Sequence, residues 1–229
     1  MAKNTENKKD KKVEVVFIMD RSGSMSGLED DTIGGFNSML KEQKEDGGEV
    51  TWSTVLFDTR HEVIHNRVPI EKVEPLTEKE YYTRGCTALL DAVGRAINHI
   101  GMCHRHAKAE DVPDNTIFVI TTDGYENSSR EYSYEKVKKM IELEKEKFGW
   151  EFIFLGENID AVSEAARIGI PESRAATYIN DGEGITKNFT TAGRAIMEMK
   201  CNSELDEDCL EEVWADFEAR GGRSRGRKR

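Results

Sequence analysis

VEVVFIMDRSGSMSG, residues 13–27, decides how this chain is read. Its first seven residues are nearly all apolar, with β-branched and aromatic side chains, the pattern of a strand buried on both faces of a parallel sheet. The run ends at Asp20. The hydroxyls of Ser22 and Ser24 follow at two-residue steps, and Gly23 between them lets the backbone turn tightly. A carboxylate and two hydroxyls so spaced bring three hard oxygens to one point. That donor set suits Mg²⁺, Mn²⁺ or Ca²⁺ far better than zinc or copper.

Two further stretches extend the pattern: GCTALLDA at residues 85–92, and TIFVITTDG at residues 116–124, a second apolar strand ending in an aspartate. In this order, with the Asp-x-Ser-x-Ser loop first, they resemble the three motifs of the metal-ion-dependent adhesion site of von Willebrand factor A domains. The chain is most similar to stand-alone intracellular microbial members, some of them near stress-response or phage-borne systems. The resemblance covers about residues 13–200. It implies a doubly wound, Rossmann-like three-layer α/β sandwich, mainly parallel, with one antiparallel edge strand. It also implies Ser22, Ser24 and Thr87 as hydroxyl ligands, with Asp20 and Asp123 binding a Mg²⁺ (or Mn²⁺ or Ca²⁺) directly or through water. An acidic residue of a partner protein would complete the shell, and Asn127, four residues beyond Asp123, would brace the loops. Asp91 is open between orienting the metal loops and occupying the exposed first turns of its helix, where an acid is favourable. Arg21 could favour an acidic ligand, although a solvated arginine is the commoner fate of that residue type.

The 229 residues suffice for one α/β domain with short tails. The formal charge of −11 is unevenly distributed: residues 1–12 carry five lysines against two acids, and residues 220–229 carry five arginines and one lysine. The body between them is therefore more acidic than the whole, which argues against a nucleic-acid-binding core. No apolar run reaches the roughly 18 residues of a membrane helix, and the N-terminus has no apolar signal region. Cys86, Cys103, Cys201 and Cys209 show no paired spacing. These features make the cytoplasm the expected location, with free thiols and a monomer away from membranes.

Periodicity predicts helices over 30–45, 87–100, 132–148, 161–168 and 184–199, and strands over 50–57, 62–68, 150–155 and 175–179. Residues 58–60 are the hairpin turn between the second and third strands, and 69–84 form a long loop. In the helix at 132–148, Val137, Met140, Ile141 and Leu143 are expected to face inward. Strands alternating with helices imply a parallel sheet covered on both faces, whose ligand site lies at the carboxyl ends of strands where their order reverses. That point falls between Asp20 and Asp123.

The domain organisation expected is a disordered basic lead-in at 1–12, the metal-binding domain at 13–200, an acidic amphipathic helix at 201–219 and a disordered basic tail at 220–229. Ser203 is the expected N-cap of that helix. Leu210, Val213, Trp214 and Phe217 share one face, which packs back on the sheet or docks into a partner, the first being the usual fate of such a stripe.

Other chemistries fit less well. Haloacid-dehalogenase-type phosphatases place a second aspartate where Ser22 stands, and an EF-hand needs Gly at Met25. There is no Gly-x-Ser-x-Gly elbow and no histidine beside the motifs to serve as a base, so no catalytic residue and no enzyme activity is expected. A metal-dependent phosphohydrolase, and a nucleic-acid or anionic-surface adaptor working through the basic tail, are the alternatives. His99, Cys103, His104 and His106 form the one soft-ligand cluster; it lacks a second matched pair, and a structural role is expected.

Overall fold

A computed structural model describes residues 11–157, 160–179, 181–202 and 204–222. The first strand, β1 (Val13–Asp20), is buried along its whole length. It pairs in parallel with β2 (Val50–Phe57) on one side and β4 (Asn115–Thr122) on the other. β3 (His61–Pro69) folds back antiparallel on β2 as the edge strand, while β5 (Glu151–Glu157) and β6 (Ala175–Tyr178) extend the sheet beyond β4. The six-stranded order is β3-β2-β1-β4-β5-β6. The order reverses between β1 and β4, which leaves a crevice at their carboxyl ends.

Alternation along β1 builds a core on each face of the sheet. Val13, Val15, Phe17 and Met19 point to one side, where α1 (Glu29–Asp46) and α5 (Gly182–Cys201) cover them with Phe36, Phe189 and Ile196. Val16 and Ile18 point to the other, against α2 (Leu89–His106), α3 (Tyr134–Phe148) and α4 (Ala161–Arg167). Glu14 shares that second face and is 0 % exposed. Arg67 donates through Nε to its Oε1 (2.7 Å) and through Nη2 to its Oε2 (2.9 Å), and His104 Nε2 lies 2.7 Å from the same Oε2. A carboxylate inside a core strand is tolerated only with such partners.

Several boundaries differ from the sequence expectation. α2 starts at Leu89 and continues to His106, so Thr87 lies in the loop before it and Gly101 does not end the helix. In α3, which Ser133 caps, Leu143 is 43 % exposed and not inward. Of the soft-ligand side chains of α2, His99 meets Asn66 Oδ1 and, at 3.9 Å, Cys103 Sγ, while His104 turns to Glu14 and His106 to the Met102 carbonyl. Among the described residues no group of three or more His, Cys, Asp or Glu is placed to hold a metal. None of the helices described is long and apolar enough to cross a membrane.

The last helix, α6, is shorter than expected, Glu211–Ala219 with Leu210 at its N-cap position; Ser203, residues 1–10 and the tail 223–229 lie outside the described residues. α6 packs on β6 and α5. Trp214 donates its indole N–H to the Ala175 carbonyl at 3.1 Å, Arg194 pairs with Glu212, and Arg220 pairs with Asp181 and Asp216.

Candidate metal centre

Asp20, Ser22 and Ser24, read from their spacing, and Thr87 and Asp123, implied by the resemblance, come together at the carboxyl edge of β1 and β4. Asp20 ends β1, and the chain turns at once into a loop in which the Ser22 N–H donates back to Asp20 Oδ1 at 2.6 Å. Ser22 Oγ and Ser24 Oγ are 3.0 Å apart, Ser24 Oγ donates to Asp123 Oδ1 at 2.7 Å, and Thr87 Oγ1 donates to Ser22 Oγ at 3.2 Å. Asp20, Ser22, Thr87 and Asp123 are buried and Ser24 is exposed. The cluster is thus sealed on the protein side and open at one edge.

Two of these groups are held at an electrostatic cost. Burial, against hydrogen bonds from Thr122 and the Ser22 N–H and with Asp123 adding its charge, pushes the Asp20 carboxyl up to about 7. Burial also raises Asp123. Two neighbouring carboxyls that resist ionisation create a demand for positive charge.

The surrounding residues brace this cluster from distant parts of the chain. Thr122, one residue before Asp123, donates to Asp20 Oδ2 at 2.6 Å. Tyr81, in the loop after β3, is buried and donates its hydroxyl to the Asp20 carbonyl at 2.7 Å. Asn127 Oδ1 accepts from the Thr87 N–H at 2.9 Å, which sets the Thr87 loop. Neither Thr122 nor Tyr81 was picked out from sequence. Thr122 could have been, as a hydroxyl directly before the strand-end aspartate, whereas nothing local marks Tyr81.

Arg21 corrects the expectation of a solvated residue. It is 0 % exposed, and its guanidinium faces inward to Asp58, Glu62 and the Glu80 carbonyl, so it presents no charge to an incoming ligand. Asp91 stands in the first turn of α2, as one of its two readings has it, but is partly buried instead of exposed: its carboxylate accepts the backbone N–H groups of Arg130, Glu131 and Tyr132, and so fixes the approach to α3. Those contacts hold it below the ordinary carboxylate range although burial opposes them.

The residues fit a small hard cation. The donors are all oxygens, with two carboxylates and three hydroxyls in one hydrogen-bonded cluster. The space between them is kept by Gly124, where a Cβ would lie 3.0 Å from Thr87 Oγ1 and 3.7 Å from Ser24 Oγ.

No protein-family model matches this sequence, and no curated protein does. Solved structures do match in shape. The von Willebrand factor domain of the type V pili tip protein Mfa5 from Porphyromonas gingivalis aligns with 86 % of this chain and 99 % of its own, at a TM-score of 0.62 and 10 % identity. A von Willebrand factor type A protein from Catenulispora acidiphila aligns over 82 % of this chain and 43 % of its own, at a TM-score of 0.56 and 14 % identity. The PilB minor pilin from Streptococcus sanguinis aligns over 83 % of this chain at a TM-score of 0.58 and 16 % identity, and this chain spans 62 % of that pilin. The strand order with its single antiparallel edge, the helices on both faces and these likenesses make the fold that of a von Willebrand factor A domain.

Proposed function

We propose that this chain is a divalent-cation-dependent protein-binding module. Asp20, Ser22, Ser24, Thr87 and Asp123 would hold Mg²⁺, or Mn²⁺ or Ca²⁺, and an acidic side chain of a partner protein would complete its shell. The observation that carries this is the hydrogen-bonded oxygen cluster, open at one edge and with its two carboxyls raised by burial. The cation would supply a point of positive charge with an open coordination position. The protein's own part is to hold the oxygens in place: Thr122 and the Ser22 N–H orient Asp20, and Asn127 orients the Thr87 loop.

The reading is one of binding, not turnover. Among the described residues, the side chains hydrogen-bonded to Asp20 and Asp123 are hydroxyls, and no histidine or lysine is bonded to either carboxylate to act as a base. The pili tip and minor pilin neighbours fit a binding role. Four free cysteines support a cytoplasmic setting for this module.

The deciding experiment is calorimetric titration of Mg²⁺ and Mn²⁺ into the wild type and into Asp20→Ala, Ser22→Ala and Thr87→Ala. The wild type is expected to bind one ion, more tightly with an acidic peptide present, and each variant to lose it. A folded wild type that takes up no ion even with the peptide present overturns the reading. So does phosphoester hydrolysis that depends on Asp20.

A further inference from the structure

At the opposite end of the sheet from the metal centre, a cavity of about 210 Å³ opens between the C-terminal parts of α2 and α3, near the starts of β4 and β5. Gly101 and Trp150 form part of its wall, Phe148 and Val112 add apolar surface, and Glu144 and Arg105 bring charge.

Glu144 is the unexplained group. The residue is only 6 % exposed, yet its carboxylate has no hydrogen bond and no ion pair within 4 Å among the described residues. Burial raises its proton affinity, and the charges of Arg105, His104 and Lys147 only partly offset that. His104 is already engaged with Glu14. Arg105 is exposed; both its Nη1 and Glu144 Oε1 lie near Gly101, 3.2 and 3.5 Å from the point a Cβ there would occupy, but the two do not pair. The Glu144 oxygens are not sealed from the solvent that fills the cavity, so a cation entering there can reach the carboxylate directly.

The surroundings state what would satisfy it. The C-terminal ends of two helices carry partial negative charge and favour a cation. Asp114, also on the wall, adds a second carboxylate, one of whose oxygens accepts the Lys12 N–H. Phe148, 59 % exposed, offers aromatic surface, on which ammonium and guanidinium groups bind well, and Trp150, stacked on Phe118 and 3 % exposed, adds a small part of the wall. The indole N–H of Trp150 has no acceptor among the described residues.

We propose that this cavity is a binding site for an organic cation, an alkylammonium or alkylguanidinium, whose charged head pairs with Glu144 while its alkyl stem lies against Trp150 and Phe148. The site is separate from the metal centre and does not rest on the function proposed for it.

The test is titration of the full chain with n-butylammonium, n-butylguanidinium and the neutral n-pentanol, followed by heteronuclear NMR at the Trp150 indole. The wild type is expected to bind one or both cations and not the alcohol. Glu144→Gln, which keeps the shape and relieves a buried charge, should fold, as far-UV circular dichroism checks, and lose at least about tenfold in cation affinity. Asp20→Ala should bind as the wild type does. A blocked Gly-Arg-Gly peptide distinguishes a protein side chain from a free cation, since it binds only if the cavity admits a guanidinium carried on a backbone. Equal binding by Glu144→Gln, equal binding of the alcohol, or no binding by the wild type overturns the proposal. Cation binding confined to Arg105→Ala would show that Arg105 is itself the resident cation, and overturns it as well.

Discussion

The guanidinium of Arg21 and the carboxylate of Asp58, 37 residues apart, meet at 3.0 Å with neither side chain more than 3 % exposed. Arg21 sits inside the metal loop and Asp58 in the β2–β3 hairpin turn. Asp58 also receives Arg84 Nε at 2.8 Å and the Arg60 N–H, and these contacts hold its carboxyl low although burial alone would raise it. The loop that starts at Asp20 is thereby bolted to the hairpin and to the segment that carries Tyr81.

Arg21→Met should be strongly destabilising. It leaves the buried Asp58 carboxylate one donor short and the Glu80 carbonyl without the Arg21 N–H. Breaking a buried pair by removing one partner costs about 3–5 kcal/mol. The contact to Glu62, which is half exposed, adds little to this. Urea unfolding should show the drop as a lower midpoint at unchanged slope, and an unchanged midpoint would mean that the pair contributes nothing to folding.

Gly124→Ala is a gentler probe of the metal centre than removing a ligand. The added Cβ would stand 3.0 Å from Thr87 Oγ1, so either that hydroxyl or the backbone at 124 must give way. We expect Mg²⁺ affinity to fall by about tenfold, a loss of roughly 1.4 kcal/mol, with the melting temperature little changed. Equal affinities in calorimetry would place the cation away from Thr87.

Glu14 predicts an acid limb in the stability profile. Burial would raise its carboxyl, but hydrogen bonds from His104 and Arg67 outweigh that and hold it below the usual 4.5. A carboxyl depressed in the folded state contributes stability that is present above its unfolded value and is lost as pH falls through the folded value. Melting temperatures should therefore drop below about pH 4.5 more steeply in the wild type than in Glu14→Gln, which has nothing to protonate there. Parallel curves for the two proteins would remove Glu14 as the cause.

Trp214→Ala should loosen the last helix. The side chain is 7 % exposed, stacks edge-on with Phe217 and holds the Ala175 carbonyl. Truncating a buried tryptophan costs about 3–5 kcal/mol. Hydrogen exchange should report the loss first at residues 211–219 and β6, and protection that stays uniform would show that α6 is not held through this contact.

What the sequence determined by itself is whatever depends on neighbours in the chain. The strand at residues 13–20, the turn at Gly23 and the two-residue steps from Asp20 to Ser24 are local, and periodicity with residue type suffices to read them. The alternation of strands and helices carried the fold class, and the reversal of strand order put Asp20 and Asp123 at one crevice. The tertiary structure alone decided what depends on residues far along the chain. Arg21 reads as a solvated charge until Asp58, Glu62 and Glu80 arrive from 37 to 59 residues away. Asp91 finds its three donors some 40 residues on, at Arg130 to Tyr132, and Tyr81 reaches the Asp20 carbonyl across 61 residues. Glu144, on the outer layer, becomes a buried carboxylate only when α2 and Trp150 close over it. Burial is a property of the assembled layers, and whether a charge is satisfied depends on which distant groups those layers bring within hydrogen-bonding reach.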